Sequence, residues 1–304
     1  MATQGIIEVH THTFRTADMG LRWQRALGNA SPPRAGTVEE LLKIMGQANI
    51  VQAVMLMYTP TQFMYEARVK DIPAKEPERS KADAALKAQV IARMVENNEW
   101  ACQVTRQHPN LVSFLGVDPV FMTREEMAKE IDDKVKKGAK GVKIVPINLR
   151  MYGSDPRLWP VYEECHRRRL PLLSQAGGSP EGGHDPWGRP KYFEEAARAF
   201  PNMRIILAHL GAGYEAEVAA LTSKYPNVFA DLSGRLHLIG SPGEWTREEA
   251  AQWIRRIGAD RVMFGTNFPM NDPAQYARVL DALPLTEEEK ARIGAGNARR
   301  VIGL

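Results

Sequence analysis

Apolar runs of strand length alternate with stretches of helical period along nearly the whole chain. The runs fall at 6–9, 51–57, 112–117, 141–145, 170–174, 204–208, 227–232 and 261–264, and most are aliphatic throughout rather than alternating with polar residues. A strand that is continuously apolar is buried on both faces, as in a parallel sheet covered by helices. Between the runs lie amphipathic stretches near 38–48, 81–107, 123–137, 156–168, 190–199, 213–224, 246–257 and 272–282, with a further pair beyond. Eight strand–helix units in 304 residues predict a single (β/α)8 TIM barrel over residues 1–304. No GxGxxG opens the first helix, as a doubly wound nucleotide-binding sheet would require.

The connections are unequal in length. Helix-to-strand links are short, such as Lys137–Lys140 and Arg169, whereas the strand-to-helix links at 13–37, 58–80, 146–155 and 175–189 are long. In a barrel the long loops share the C-terminal face, where catalytic groups collect. The stretch 60–80, rich in Pro, Lys and Glu, is expected to be a solvated loop or a lid.

Composition narrows the picture only slightly. With 44% hydrophobic and 25% charged residues the chain is an ordinary globular one, and a net charge of +4 with both signs interspersed favours small anionic ligands over nucleic acid. Cys102 and Cys165 are far apart and form no CxxC, which argues against a disulfide framework or zinc ribbon and suits a reducing compartment. No run approaches the ~18 apolar residues of a spanning helix and no leader pattern is seen, so a cytoplasmic setting without membrane association is expected. A homo-oligomer is the expected assembly.

Candidate chemistry gathers at the strand ends. His10 and His12 close the first run, and side chains two apart on a strand share a face, so both imidazoles aim at one point. That spacing suits a metal; the alternative is a hydrogen-bonded pair of histidines. The other strand ends offer Asp118, Lys143, Gln175, His209, Asp231, Ser233 and Asn267. Taken singly, Asp118 and Asp231 are expected to be satisfied terminal polar groups, while convergence makes His10, His12, Lys143 and His209 the candidate centre. Strict alternation also places Glu8 inside the barrel beside the two histidines, with Lys143 or an imidazole as its partner. Asn148, Arg150, His184, Trp187, Arg189, Arg235 and His237 follow in the loops. Because guanidinium forks pair well with carboxylates, these loops and Lys143 are the candidate binding surface for a small organic anion.

Taken as an ordered set, Val9-His10-Thr11-His12, Gly141-Val142-Lys143-Ile144-Val145-Pro146, Leu207-Ala208-His209-Leu210-Gly211 and Phe264-Gly265-Thr266-Asn267-Phe268-Pro269 resemble the amidohydrolase superfamily. The similarity is to its amidohydrolase-2 branch of lactonases, decarboxylases and hydrolases of small carboxylates, and it extends to Gly296-Asn297-Ala298-Arg299-Arg300. The resemblance implies a barrel in which His10 and His12, a strand-five histidine and a strand-eight aspartate bind zinc or manganese, while His209 polarises the substrate. Two positions depart from it, because Gln175 and Asn267 stand where that histidine and aspartate are expected. An amide cannot act as a base, and neutral donors leave a cation's charge uncompensated. A site built on His10, His12, His209, Gln175 and Asn267 therefore either holds its cation weakly or works without one. The leading expectation is amidohydrolase-type hydrolysis of a small carboxylate, lactone or amide. The second is non-oxidative decarboxylation of an aromatic or enoic acid, which needs no hydrolytic base. The third is a non-catalytic ligand-binding barrel or an inactivated variant.

Overall fold

The computed structural model describes residues 5–179 and 184–304. In chain order the elements are β1 (Ile6–Thr11), α1 (Ala17–Ala26), α2 (Val38–Gln47), β2 (Ile50–Leu56), α3 (Thr61–Val69), α4 (Glu78–Gln107), β3 (Leu111–Gly116), α5 (Arg124–Lys136), β4 (Gly141–Ile144), α6 (Pro146–Leu149) and α7 (Trp159–Arg168). They continue with β5 (Pro171–Ser174), α8 (Glu194–Ala199), β6 (Arg204–Leu207), α9 (Glu215–Lys224), β7 (Val228–Asp231), α10 (Arg247–Ile257), β8 (Val262–Met263), α11 (Pro273–Ala282) and α12 (Glu287–Ala291). The strands pair in sequence order, all parallel, from β1 to β8. Backbone bonds from Val9 N–H to Phe264 O (2.9 Å) and from Asn267 N–H to the His10 carbonyl (2.9 Å) draw the ends together, so the expected (β/α)8 barrel is the observed fold.

Strand alternation produces two apolar layers. Val54, Leu56, Phe114, Leu173, Ile206 and Phe229 fill the barrel, and Ala295, Ala298, Val301 and Ile302 of the C-terminal turns pack against them. Asn297 holds those turns at the start of β8 through the carbonyls of Ala259 (2.8 Å) and Val262 (2.7 Å), so the chain's end plugs the barrel opposite the strand C-termini. Outward residues such as Ala53, Met55, Val142 and Leu207 pack with Leu41, Met45, Val161 and Tyr162 of the helices.

Three local features differ from the sequence expectations. The loop after β1 contains α1, capped by Thr16, whose hydroxyl accepts the Met19 N–H at 3.3 Å. Gly20 lets this helix lie against the chain that follows, since a Cβ there would stand 1.7 Å from the Ala35 carbonyl oxygen. The stretch expected as loop or lid contains α3, anchored to the strand-three end because Gln62 donates to Asp118 at 3.1 Å and Thr61 also donates to it. Asp118 further accepts the N–H groups of Val120 and Phe121 and is a satisfied terminal group, as expected.

The third difference is in β1. Its pairing with β2 shifts register between Glu8 and Thr11, so two-residue alternation fails there. Glu8 lies opposite Ala53, a residue of the outer layer, and its Oε1 accepts the backbone N–H groups of His10 (2.7 Å) and Thr266 (3.0 Å). The carboxyl group thus braces the irregular strand end instead of meeting Lys143 or an imidazole inside the barrel. Burial raises its pKa to about 8 even though both N–H bonds oppose the shift.

Candidate active site

Strand ends bring His10, Asp231, Ser233 and His209 into one hydrogen-bonded group. His10 Nδ1 lies 2.9 Å from Asp231 Oδ2 and 3.0 Å from Ser233 Oγ. Ser233 Oγ is 2.8 Å from His209 Nδ1 and donates to Asp231 Oδ1. The same Oδ1 accepts the backbone N–H groups of Ser233 (2.9 Å) and His209 (3.1 Å). His209 and Leu210 take left-handed backbone angles (φ 62° and 51°), a conformation that costs on the order of 1–3 kcal/mol at non-glycine residues. The bonds from His209 to Asp231 and to the Ser233 carbonyl (3.0 Å) hold that turn and aim its ring at His10.

Electrostatics divide the group into one anion and two neutral rings, with His12 a third neutral ring beside it. Burial by itself would raise Asp231, but His10, His209 and the Ser233 hydroxyl outweigh it and hold the carboxylate well below its ordinary range. Burial pushes His10 down to about 3 against the opposing pull of Asp231. It lowers His209 and takes His12 well below the usual imidazole value. Lys143, also fully buried, falls to about 7, with Asp231 as the opposing influence. Its proton is therefore exchangeable near neutrality.

Asp231 is the correction that matters most at this site. It is satisfied, as expected of a strand-end group, but its partners are the two imidazoles and the serine, and no local sequence signal marks that role. Gln175 and Asn267 contribute differently. Gln175 donates to the Gly177 carbonyl at 3.1 Å and leaves Oε1 buried without a partner, while the Asn267 backbone joins β8 to β1 in a left-handed turn (φ 69°).

Most of the expected loop residues have internal partners. Arg189 pairs with Asp185 and, at 2.7 Å, with Glu217, and lies over the Tyr214 ring at 4.8 Å. Arg235 reaches Glu215 at 3.3 Å and stacks on Trp245 at 4.3 Å. His237 bonds the Tyr276 hydroxyl at 2.7 Å, and His184 Nδ1 lies 2.7 Å from the Asp185 carbonyl while its ring packs on Trp187. Arg150 pairs with Glu66 at 2.7 Å, and Asn148 donates to the Tyr58 hydroxyl. Residues 180–183, in the same loop as His184, lie outside the described residues.

The open space lies on the other side of His12. A cavity of about 420 Å³ runs between α1, the end of β2 and α4, and is lined by His12, Phe14, Trp23, Tyr58, Trp100, Arg15, Arg22 and Arg93 among others. No Asp or Glu side chain lines it. His12 packs its ring against Trp23 at 5.1 Å, and Trp23 meets Phe14 at 5.2 Å. A small adjoining space shares Met57, Tyr58, Thr59 and Pro60 with this cavity and is bounded by Lys143. The stretch 13–37, expected as a loop, thus carries a wall helix, and Thr16 with Asp18 at its start and Arg25 in its last turn is the sequence signature of it.

The Amidohydro_2 model for amidohydrolases matches residues 7–304, and the chain belongs to this family. The gamma-resorcylate decarboxylase of Rhizobium radiobacter is 28% identical over 117 residues, 35% of this chain and 36% of that protein. That of Rhodococcus jostii is 24% identical over 115 residues, 34% and 35% of the two chains. The matched stretch thus spans about a third of these relatives. An uncharacterized TIM-barrel protein from Bordetella bronchiseptica superposes with a TM-score of 0.70 at 20% identity over 99% of both chains. A dihydroxybenzoic acid decarboxylase from Polaromonas, with bound manganese and 2-nitroresorcinol, gives 0.69 at 16% identity over 99% of this chain and 98% of its own. A 5-carboxyvanillate decarboxylase from Novosphingobium aromaticivorans, complexed with manganese and a nitrobenzoic acid, gives 0.67 at 17% over 99% and 97%. At these identities the superpositions show a shared fold.

The donors present suit a divalent cation. Among the described residues, His10, His209 and Asp231 form the one group of three whose potential ligand atoms all lie within 4.8 Å of one another. Neutral imidazoles beside an ionised carboxylate are donor types that both manganese and zinc accept.

Proposed function

We propose that the protein is a carbon–carbon lyase that releases carbon dioxide from a small aromatic carboxylic acid. The cavity on His12 carries this reading, because its walls combine Phe14, Trp23, Tyr58 and Trp100 with three arginines and hold no carboxylate. Flat rings pack well against such walls, and guanidinium groups favour a carboxylate. The relatives support the same chemistry, since those matched by sequence are named decarboxylases.

Hydrolysis, the leading expectation from sequence, is less well served. It needs a base for the attacking water; the Asp231 oxygens are taken up by His10, His209 and Ser233, and Gln175 and Asn267 are amides, which leaves that role to a neutral imidazole in place of the family's carboxylate. Decarboxylation makes a smaller demand. The bond between ring and carboxylate breaks, its electron pair stays on the ring carbon, and that carbon takes up a proton as carbon dioxide leaves. Lys143 is the donor we assign: its Nζ gives the proton to the ring carbon and regains one from water. The arginines orient the substrate, and the aromatic walls keep water from the carbanion-like carbon. His10 and His209, with Asp231, would hold a divalent cation, which when bound would supply Lewis acidity toward the carboxylate or a ring hydroxyl.

The test is incubation with a panel of hydroxylated and methoxylated benzoic acids alongside lactones and amides, with carbon dioxide and arene quantified. Equimolar carbon dioxide and arene from at least one acid is the expected result. Hydrolysis of a lactone or amide without decarboxylation of any acid, or turnover of nothing in the panel, overturns the assignment.

A further inference from the structure

The cavity beside His12 has two unlike ends. Its inner end is closed by His12, Leu56 and Met57, all less than a tenth exposed, and the small space bounded by Lys143 adjoins it through Met57 and Tyr58. Its outer end carries Arg15 and Arg22, both exposed, and the partly buried Arg93. The acidic partners of these arginines stand outside the lining. Arg22 meets Asp18 at 2.8 Å and Arg93 meets Glu96 at 3.2 Å, exposed contacts of little net strength. Arg15 donates to the Glu96 backbone carbonyl, a neutral acceptor. Three guanidinium groups thus border one opening with no carboxylate in its walls.

The space exceeds what one ring fills. An apolar cavity of about 150 Å³ accommodates a benzene ring, so a volume of about 420 Å³ is nearly three times that requirement. The walls are correspondingly long. Met19, Arg22, Trp23 and Ala26 line the cavity from α1 at helical spacing, and Arg93, Asn97 and Trp100 line it from α4. At the helical rise per residue, each of these faces is about 10 Å long. Each helix also brings an indole, Trp23 on one wall and Trp100 on the other, so a flat ligand meets aromatic surface from both. A single ring with its reacting carboxylate at the inner end leaves the outer part of the cavity, and its arginines, unfilled.

We infer that the substrate is an elongated, two-ring aromatic acid that carries a second anionic group at its far end. The reacting carboxylate lies at the inner end beside Lys143 and the His12 ring. The second ring lies between Trp23 and Trp100, and the distal anion meets Arg22 and Arg93. This assignment rests on the reading of the cavity as the pocket for an aromatic acid. It separates the roles of the cations, with Lys143 at the carbon that is protonated and the arginines at the end that stays unchanged. Binding energy from the non-reacting anion then helps hold the carboxylate in the desolvated inner end.

Calorimetric titration of the full-length protein with benzoate, benzene-1,4-dicarboxylate, biphenyl-4-carboxylate and biphenyl-4,4′-dicarboxylate varies ring number and distal charge separately. The biphenyl dicarboxylate is expected to bind about 10–100-fold more tightly than the biphenyl monoacid, the gain from a hydrogen bond to a charged group. Both should bind more tightly than the one-ring acids. Benzene-1,4-dicarboxylate should show no such gain over benzoate, because its second carboxylate stops short of the arginines. Arg22→Met with Arg93→Met should bring the two biphenyl acids to equal affinity, and Arg22→Met alone, at an exposed position, should remove part of the difference. Biphenyl acids that bind no more tightly than benzoate, a second carboxylate that adds nothing, a gain that survives loss of both arginines, or failure of all four acids to bind would each overturn the inference. Binding needs no turnover. The expected affinity order without decarboxylation of any acid would overturn the lyase assignment and support the ligand class, and decarboxylation with the opposite order would overturn the ligand class alone.

Discussion

The two sides of the barrel mouth carry similar side chains and differ in what those side chains already touch. On the side of β5 to β7, Arg189 sits between Asp185 and Glu217, Arg235 reaches Glu215 and covers Trp245, and His237 is bonded to Tyr276. On the side of β1 and β2, Arg15, Arg22 and Arg93 border a cavity walled by aromatic residues. Arg22 pairs with Asp18 at 2.8 Å and Arg93 with Glu96 at 3.2 Å, both exposed contacts, while Arg15 donates to the Glu96 backbone carbonyl at 2.5 Å. A guanidinium flanked by two carboxylates has little attraction left for a third, whereas exposed pairs are weak and readily exchanged. Residue type nominated the β5 to β7 side alone, and the inventory of partners turns the choice toward the side of β1 and β2.

Changes to the cavity side should have the largest effects. Trp23→Ala together with Arg15→Met removes a ring-stacking surface and a charged donor, and should weaken binding of the best aromatic acid by about a hundredfold or more. Calorimetric titration with a slowly turned-over acid measures this. An unchanged affinity would mean that the ligand enters elsewhere and would erase the contrast between the two sides.

Lys143 lies between the two regions and makes a pH-dependent prediction. Its folded-state pKa of about 7 lies below the ordinary 10.5. Protonation is thus disfavoured in the folded state, so the penalty is absent above about pH 10.5, grows as pH falls toward 7 and is constant below that. Lys143→Met should raise the melting temperature by several degrees at about pH 6, with the gain shrinking as pH rises toward about 10. Melting curves across that range decide it, and a gain independent of pH would show that Lys143 is not held neutral by burial. The same variant should lose decarboxylation.

The smallest effects are expected on the β5 to β7 side. Arg189→Met and Arg235→Met should leave the affinity for aromatic acids within about twofold of wild type, because Arg189 is shared between Asp185 and Glu217 and Arg235 is paired with Glu215 under the Trp245 ring. Binding isotherms for the two variants check this. A loss comparable with that of the cavity variant would restore the loop arginines as the anion clamp.

The strands and the positions where chemistry concentrates were legible in the chain because burial on both faces leaves a local mark. Each apolar run from 6–9 to 261–264 contains a strand, and the ends of β1, β6 and β7 bring His10, His209, Asp231 and Ser233 together. His10, His12, Lys143 and His209 could be nominated because parallel alternation of strand and helix implies one shared rim. The shape of the rim could not be read the same way. Whether 13–37 was loop or wall depended on α1 packing through Gly20 against Ala35, a contact without a periodic signature.

Local pattern is set by neighbours a few residues apart, so the alternation of apolar and amphipathic segments was sufficient to specify a (β/α)8 barrel and its working face. Partnership at the site is set by residues far apart in sequence. Asp231 meets His10 across 221 positions, and its carboxylate, together with Ser233, determines which nitrogens of His10 and His209 are open. The register shift in β1 turned Glu8 away from the imidazoles, and Asp185 with Glu217 became the partners of Arg189. Those outcomes belong to the tertiary structure, because a buried polar group takes whichever partner packing brings within about 3 Å, and spacing along the chain carries no record of that choice.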